Sequence, residues 1–269
     1  MKPFRIGDAE VGGSSLLVVA GPCVVESADL CLEVATHLRM LCAARGMPFV
    51  FKASYKKANR SSGLSFAGLG DDLALAALAR VRKDVGVPVL TDVHETGDCS
   101  AAAEVANVLQ IPAFLCRQTA LLEAAARTGR TVNVKKGQFL PPADMANAIA
   151  KISAAGGQRI LLTERGSMFG YGDLVVDMRG LVVMRDLGWP VLYDATHSLQ
   201  RPGGTQTGGD RHFAFPLMRA ALACGVDGLF FEVHPDPSKA KSDAATQLPL
   251  AEAERFLDHA LRAHEASRG

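Results

Sequence analysis

Side chains that bind metals, move protons or hold anions recur at or just past the ends of short apolar runs. Cys23 closes "LLVVAGPC", Lys52 and Ser54 close "FVFKAS", Asp92 and His94 close "VPVLTDVHE", and Gln110 lies in "VLQIPAF". Further on, Lys135 and Lys136 close "TVNVKKG", Glu164 and Arg165 "RILLTERG", Asp194 and His197 "PVLYDATH", and Glu232 and His234 "GLFFEVHP". Asp243 follows in "HPDPSKAKSDAATQLPL". Cys23, His197, Glu232 and Asp243 would together offer a thiolate, an imidazole and two carboxylates. That set suits one divalent ion of intermediate softness, Mn²⁺, Fe²⁺ or Zn²⁺. Taken singly, each has a commoner role: a buried thiol packs as a small hydrophobe, a histidine hydrogen-bonds, and a loop aspartate forms turns. Convergence therefore depends on the fold.

The loop "KASYKKANRSSGLS" (Lys52 to Ser65) carries four cations, Lys52, Lys56, Lys57 and Arg60, interleaved with Asn59, Ser61 and Ser62. Cations, an amide and hydroxyls on one loop can cradle a phosphate, with arginine supplying a two-pronged donor. A solvated surface loop is the bland alternative. Arg117, Lys135, Lys136 and Arg165 tip the balance toward an anionic small molecule, with room for two phosphates. A lysine at a strand end, Lys135 or Lys136, also permits Schiff-base chemistry. His94 and His234 read as scaffold or as support for other side chains, and His37, His259 and His264 as surface residues on helices.

The elements that must position these groups alternate. Between the apolar runs lie helical segments such as "DLCLEVATHLRMLCAARG", "DDLALAALARVRKDVG" and "LAEAERFLDHALRAHE". Runs that are apolar on both faces and alternate with helices indicate parallel strands covered by helices. Eight such units in ~250 residues match a (β/α)₈ TIM barrel, whose active sites form at the C-terminal strand ends. "FRIGDAEVGG" reads as a short N-terminal hairpin closing the barrel bottom. No linker or low-complexity tract divides the chain, so residues 1–269 are expected to form a single barrel domain.

Composition narrows the partners. The 269 residues are 48% hydrophobic, enough for a sizeable core. Lys+Arg number 29 against Asp+Glu 28, a net charge of +1, which argues against nucleic acid or an anionic membrane as partner. No apolar run reaches the ~18–20 residues of a membrane span, and the start lacks a secretory core. The six scattered cysteines suggest reduced thiols and a cytoplasmic location. Gly-rich nucleotide loops and a Ser-His-Asp signal are lacking.

Taken together, "AGPCVVES", "FKASYKKANRSS", "LTDVHE", "QIPAFLCRQT", "NVKKGQF", "ERGSMFGYGDLVVDM", "YDATHSLQRPGG" and "FFEVHPDPSKAKSDAATQLPL" closely resemble the 3-deoxy-D-manno-octulosonate 8-phosphate synthase family. The resemblance runs from about Val18 to Leu250. It implies a (β/α)₈ barrel, usually a homotetramer, that condenses phosphoenolpyruvate with arabinose 5-phosphate and releases phosphate. Such a C–C bond-forming transferase feeds the inner core of lipopolysaccharide. Cysteine at position 23, where the metal-independent branch has asparagine, implies the metal-dependent branch, with Cys23, His197, Glu232 and Asp243 as ligands. The resemblance places Lys52, Ser54, Lys57, Gln110, Lys135 and Arg165 on phosphoenolpyruvate, and Asn59, Arg60 and Ser61 on the sugar phosphate. Arg117 is expected in the binding region, and the segment around Phe114 is expected to reach a neighbouring subunit. His197, Lys57, Lys135 and Cys23 carry the implied catalytic roles. Two enzymatic rivals remain at this point: the related synthase using erythrose 4-phosphate, which typically shows "KPRTS" where this chain has "KANRSS", and a Schiff-base aldolase. A third, non-catalytic binding barrel leaves the polar strand ends unexplained.

Overall fold

The computed structural model describes residues 3–58, 66, 68–203 and 207–268. Asn59, Arg60 and Ser61, the expected sugar-phosphate contacts, lie outside the described residues.

Eight barrel strands follow in chain order: Leu17–Gly21, Phe49–Lys52, Val89–Asp92, Val108–Ile111, Thr131–Lys135, Ile160–Glu164, Val191–Asp194 and Gly228–His234. Each pairs in parallel with the next, and the eighth also pairs with the first, which closes the barrel. Sequence order and spatial order coincide, as expected of repeated βαβ units. Helices α1 (Ala28–Ala43), α2 (Asp71–Arg80), α3 (Asp98–Val105), α4 (Thr119–Arg127), α5 (Met145–Ala154), α6 (Met178–Asp186), α7 (Ala214–Ala223) and α8 (Ala253–Ala266) each follow one strand.

The period-two alternation of the strands sorts their side chains into two cores. Val18, Phe51, Leu109, Val132, Leu162, Tyr193 and Phe231 point outward into the layer packed by the helices. Leu17, Val50, Leu90, Val108, Leu161, Leu192 and Phe230 point into the barrel. The strands Phe4–Ile6 and Ala9–Val11 form the expected antiparallel hairpin. Its Ile6, Ala9 and Val11 join the interior cluster, so the apolar layers occupy one end of the lumen. Inward positions nearer the C-terminal strand ends are polar, and the site lies there.

Helix α1 shows how a local signal fixes an element. The Ser27 hydroxyl accepts the Leu30 N–H at 3.1 Å, an N-cap, and Asp29 adds a negative charge in the first turn. Cys31, Val34, Ala35, Leu38 and Cys42 recur at helical spacing and are buried. Burial pushes the thiols of Cys31 and Cys42 up to about 12, the latter against a lowering by Arg45, so both pack as apolar groups. All six cysteines are unpaired. Two expectations need correction. The helix read through "DDLALAALARVRKDVG" widens into a π-turn over Val81–Val85 before Gly86 ends it in the left-handed region. His264, expected at the surface, is buried, and its Nε2 lies 3.0 Å from the Ser14 carbonyl, joining α8 to the segment before the first barrel strand. No helix among the described residues is long and apolar enough to cross a membrane.

Candidate active site

The first barrel strand ends at Gly21, where a Cβ would collide with the Lys52 carbonyl oxygen of the second strand. This close approach brings Cys23 to the rim, buried, with its N–H donating to Gln247 Oε1 at 3.4 Å. Barrel closure sets Glu232 opposite Gly21 in register. The loop after the eighth strand then returns Asp243 to the same point. Asp243 has φ of 48°, the only positive φ outside glycine among the described residues. Aspartate tolerates this region better than most residues, and the turn is fixed by the Thr246 and Gln247 N–H groups, both 3.1 Å from the Asp243 carbonyl. The Cys23 Sγ donates to Asp243 Oδ2 at 3.0 Å. Ligand atoms of Cys23, Glu232 and Asp243 all lie within 4.8 Å of one another.

His197 adjoins this trio on the turn after the seventh strand. Its Nε2 stands 3.6 Å from Glu232 Oε1 and 3.7 Å from Asp243 Oδ2. Asp194 aims it: Oδ1 accepts the N–H groups of Thr196 and His197 at 3.0 and 2.8 Å, and Oδ2 lies 2.8 Å from His197 Nδ1. Burial opposes ionisation of Asp194, yet His197 and Lys135 hold its carboxyl well below the usual range. An ionised carboxylate only accepts, so His197 Nδ1 donates to Asp194, and Nε2 is turned toward Glu232 and Asp243.

The residues present fit a divalent ion. Glu232 Oε2 is buried without a hydrogen-bond partner among the described residues, which a native interior rarely tolerates. Burial, Asp243 and Glu232 push the Cys23 thiol well up. Two carboxylates, a thiol and an imidazole nitrogen crowd one point, and a cation there would satisfy all four.

The group opens on a cavity of about 460 Å³ at the barrel mouth, lined in part by Lys52, Lys57, Lys135, Arg165, His197 and Asp243. Lys52 is spent: its Nζ donates to Glu232 Oε1 at 2.5 Å and to the Cys23 carbonyl at 2.8 Å. Lys135 donates to Asp194 Oδ2 at 2.8 Å and lies 3.9 Å from the Phe230 ring centre. Burial lowers its pKa, partly restored by Asp194. Burial also opposes the charge on Lys57, but Cys23, Glu232, Asp243 and Asp92 outweigh it and raise its pKa. Arg165 is buried, with Nη2 donating to Gln200 Oε1 at 2.9 Å, while Nη1 has no partner among the described residues. A buried guanidinium nitrogen without a partner, on a cavity wall, can hold an anion.

The opposite wall is a closed chain of neutral donors and acceptors ending on one carboxylate. Thr163 donates to Asn133 at 2.8 Å, Asn133 to Gln110 at 2.8 Å, and Gln110 to Asp92 at 2.5 Å. Ser54 donates to the second Asp92 oxygen. Burial works against the Asp92 charge, but Lys52, Lys57, His94 and Lys135 hold its carboxyl well below the usual range.

Of the residues singled out in the sequence, Cys23, Lys52, Lys57, Gln110, Lys135, Arg165, His197, Glu232 and Asp243 meet at this mouth, with Ser54 buried behind Asp92. Arg117 does not line this cavity. It is exposed, beside a separate pocket with Asp144, Asn147 and Lys151, and its carbonyl accepts from Lys151 at 3.1 Å. Lys136 turns away from the cavity: its ammonium donates to the carbonyls of Gly137 and Leu140 and to Ser167, 3.6 Å from Glu164. Glu26 accepts the Lys241 N–H at 3.0 Å, a hydrogen-bonding role for the glutamate of "AGPCVVES". Sequence reasoning gave no role to Asp194, although it stands three residues before His197 in "YDATH", nor to Gln200 in "THSLQRPGG".

Comparison with known proteins agrees with this architecture. The model of the DAHP synthetase I family matches residues 5–266. A protein of Trichlorobacter lovleyi named 2-dehydro-3-deoxyphosphooctonate aldolase is 53% identical over 95% of this chain and 95% of its own length. Proteins of the same name from Rhodopseudomonas palustris and Fusobacterium nucleatum are 55% and 49% identical, covering 93% and 98% of this chain and 89% and 96% of their own. The chain therefore belongs to the DAHP synthetase I family, among relatives named 2-dehydro-3-deoxyphosphooctonate aldolase.

Proposed function

We propose that the chain condenses phosphoenolpyruvate with D-arabinose 5-phosphate and water, giving 3-deoxy-D-manno-octulosonate 8-phosphate and inorganic phosphate for the lipopolysaccharide inner core. The observation that carries this reading is the meeting, on one cavity, of the Cys23–His197–Glu232–Asp243 group and Arg165 Nη1, unpartnered among the described residues. C3 of phosphoenolpyruvate forms the new C–C bond with the sugar aldehyde, C2 takes the water oxygen, and the resulting hemiketal phosphate loses phosphate. One divalent ion, Mn²⁺, Fe²⁺ or Zn²⁺, held by Cys23, His197, Glu232 and Asp243, would orient or acidify water or polarise the aldehyde.

The chain's own residues supply the rest. Arg165 and Lys57 hold phosphoenolpyruvate, with Lys52, Ser54 and Gln110 fixing the wall behind it. Lys135, between Asp194 and the Phe230 ring, balances charge developing at the reacting centre. Asn59, Arg60 and Ser61 take the sugar phosphate. Holding two anions face to face in fixed geometry accounts for several kcal/mol of rate enhancement by order of magnitude. Phe114, Phe139, Met168 and Phe169 are exposed on the loops after the fourth, fifth and sixth strands. They fit burial in a cytoplasmic homotetramer, in which Phe114 and Arg117 serve a neighbouring subunit's mouth.

The test is phosphate release from phosphoenolpyruvate with each aldose phosphate, with and without chelator. Turnover with arabinose 5-phosphate that stops on chelation and returns with Mn²⁺ is expected; turnover with erythrose 4-phosphate instead would overturn the substrate assignment. A lysine adduct trapped by borohydride would favour the Schiff-base rival. Of its two lysines only Lys135 lines the cavity, and its ammonium is engaged with Asp194.

A further inference from the structure

We propose that Gln200 is a positioning residue whose single amide sets both the ligating oxygen of Asp243 and the anion-facing nitrogen of Arg165. The inference rests on the metal and anion reading above. Gln200 Oε1 accepts from Arg165 Nη2 at 2.9 Å, and Gln200 Nε2 donates to Asp243 Oδ1 at 2.8 Å. A guanidinium only donates and a carboxylate only accepts, so the two partners leave the amide one orientation.

The consequences fall on both sides. Asp243 Oδ1 is consumed by Gln200, which leaves Oδ2 beside Cys23 Sγ at 3.0 Å and His197 Nε2 at 3.7 Å. Arg165 Nη2 is consumed in the same way, leaving Nη1 buried and without a partner among the described residues. A direct Arg165–Asp243 ion pair would neutralise both groups against each other. The neutral amide holds each in place and keeps their charges available to an incoming cation and anion. The Gln200 backbone is fixed by pairing with Gly209, where a Cβ would meet the Leu199 carbonyl at 2.7 Å.

Gln200→Met keeps the length of the side chain and removes both hydrogen bonds. Mn²⁺ affinity by chelator competition, and KM for each substrate at saturating Mn²⁺, read the two sides separately; the melting temperature of the chelated protein checks folding. The expected result is an Mn²⁺ dissociation constant raised about tenfold and a phosphoenolpyruvate KM raised about tenfold, with the arabinose 5-phosphate KM within about twofold. Gln200→Glu, which sets an oxygen against Asp243 Oδ1, should weaken Mn²⁺ further than Gln200→Met. A folded Gln200→Met protein with either Mn²⁺ affinity or phosphoenolpyruvate KM unchanged overturns the positioning role alone. A wild-type protein that holds no Mn²⁺ at all brings down the metal reading and this inference with it.

Discussion

The two walls of the barrel mouth are built from similar residue types to opposite ends. Along strands two to six, Ser54, Asp92, Gln110, Asn133 and Thr163 satisfy one another in an unbroken run of hydrogen bonds. Across strands seven, eight and one, two carboxylates, a thiol and an imidazole crowd together, and Glu232 Oε2 has no hydrogen-bond partner among the described residues. A satisfied buried network stiffens a fold. An unsatisfied one costs stability and is kept where a ligand completes it. The difference fits a scaffold role for the first wall and the proposed chemistry for the second.

The sharpest break in this contrast should come from Asp243→Asn. Asparagine also accepts the left-handed backbone and keeps a side chain of the same size. Unfolding free energy in urea is expected to stay within about 1 kcal/mol of wild type, while turnover falls by more than about a hundredfold. Asp92→Ala should do the reverse in stability: it strands Ser54 and Gln110 donors in the interior and should cost about 3 kcal/mol in the same urea titration.

The cost of Asp92→Ala should also depend on pH. The folded carboxyl of Asp92 lies below its usual range, with burial opposing and Lys52, Lys57, His94 and Lys135 prevailing. Such a group stabilises fully above its unfolded value near ~3.9, and the contribution is lost as pH falls through the folded value. Urea curves at pH 6 should therefore show the full gap between wild type and variant, and the gap should narrow at pH 3. A gap that widens on acidification would contradict the assignment of Asp92 as an ionised scaffold carboxylate. The smallest effect is expected far from either wall: Glu123→Gln removes an exposed pair with Arg127 at 2.8 Å on α4 and should shift stability by less than about 0.5 kcal/mol.

Much of this was legible in the chain because period and punctuation carry it. Alternating apolar runs and helices dictate the barrel, and closure pairs Gly21 with Glu232 and brings Cys23 beside it although the chain separates them. Once the strand order is known, Cys23, His197 and Glu232 fall near one another at neighbouring strand ends, and the loop after the eighth strand adds Asp243. The pairing partners did not follow. Lys135 and Lys136 are adjacent and chemically identical, yet alternation sends one to the cavity and the other to a cage of carbonyls. Asp194 and Gln200 act through contacts on other charged groups, and their residue types give no sign of those partners. His264 is buried because α8 turns it toward Ser14, a contact between opposite ends of the chain.

The central claim is that the unsatisfied wall is completed by one divalent ion with the Cys23 thiolate among its ligands. Titrating the chelated protein with Co²⁺ and following thiolate-to-metal charge-transfer absorption tests it most directly. The account predicts a band that saturates at one Co²⁺ per chain in the wild type and is lost in Cys23→Ser. No band, or one that persists unchanged in Cys23→Ser, would contradict it.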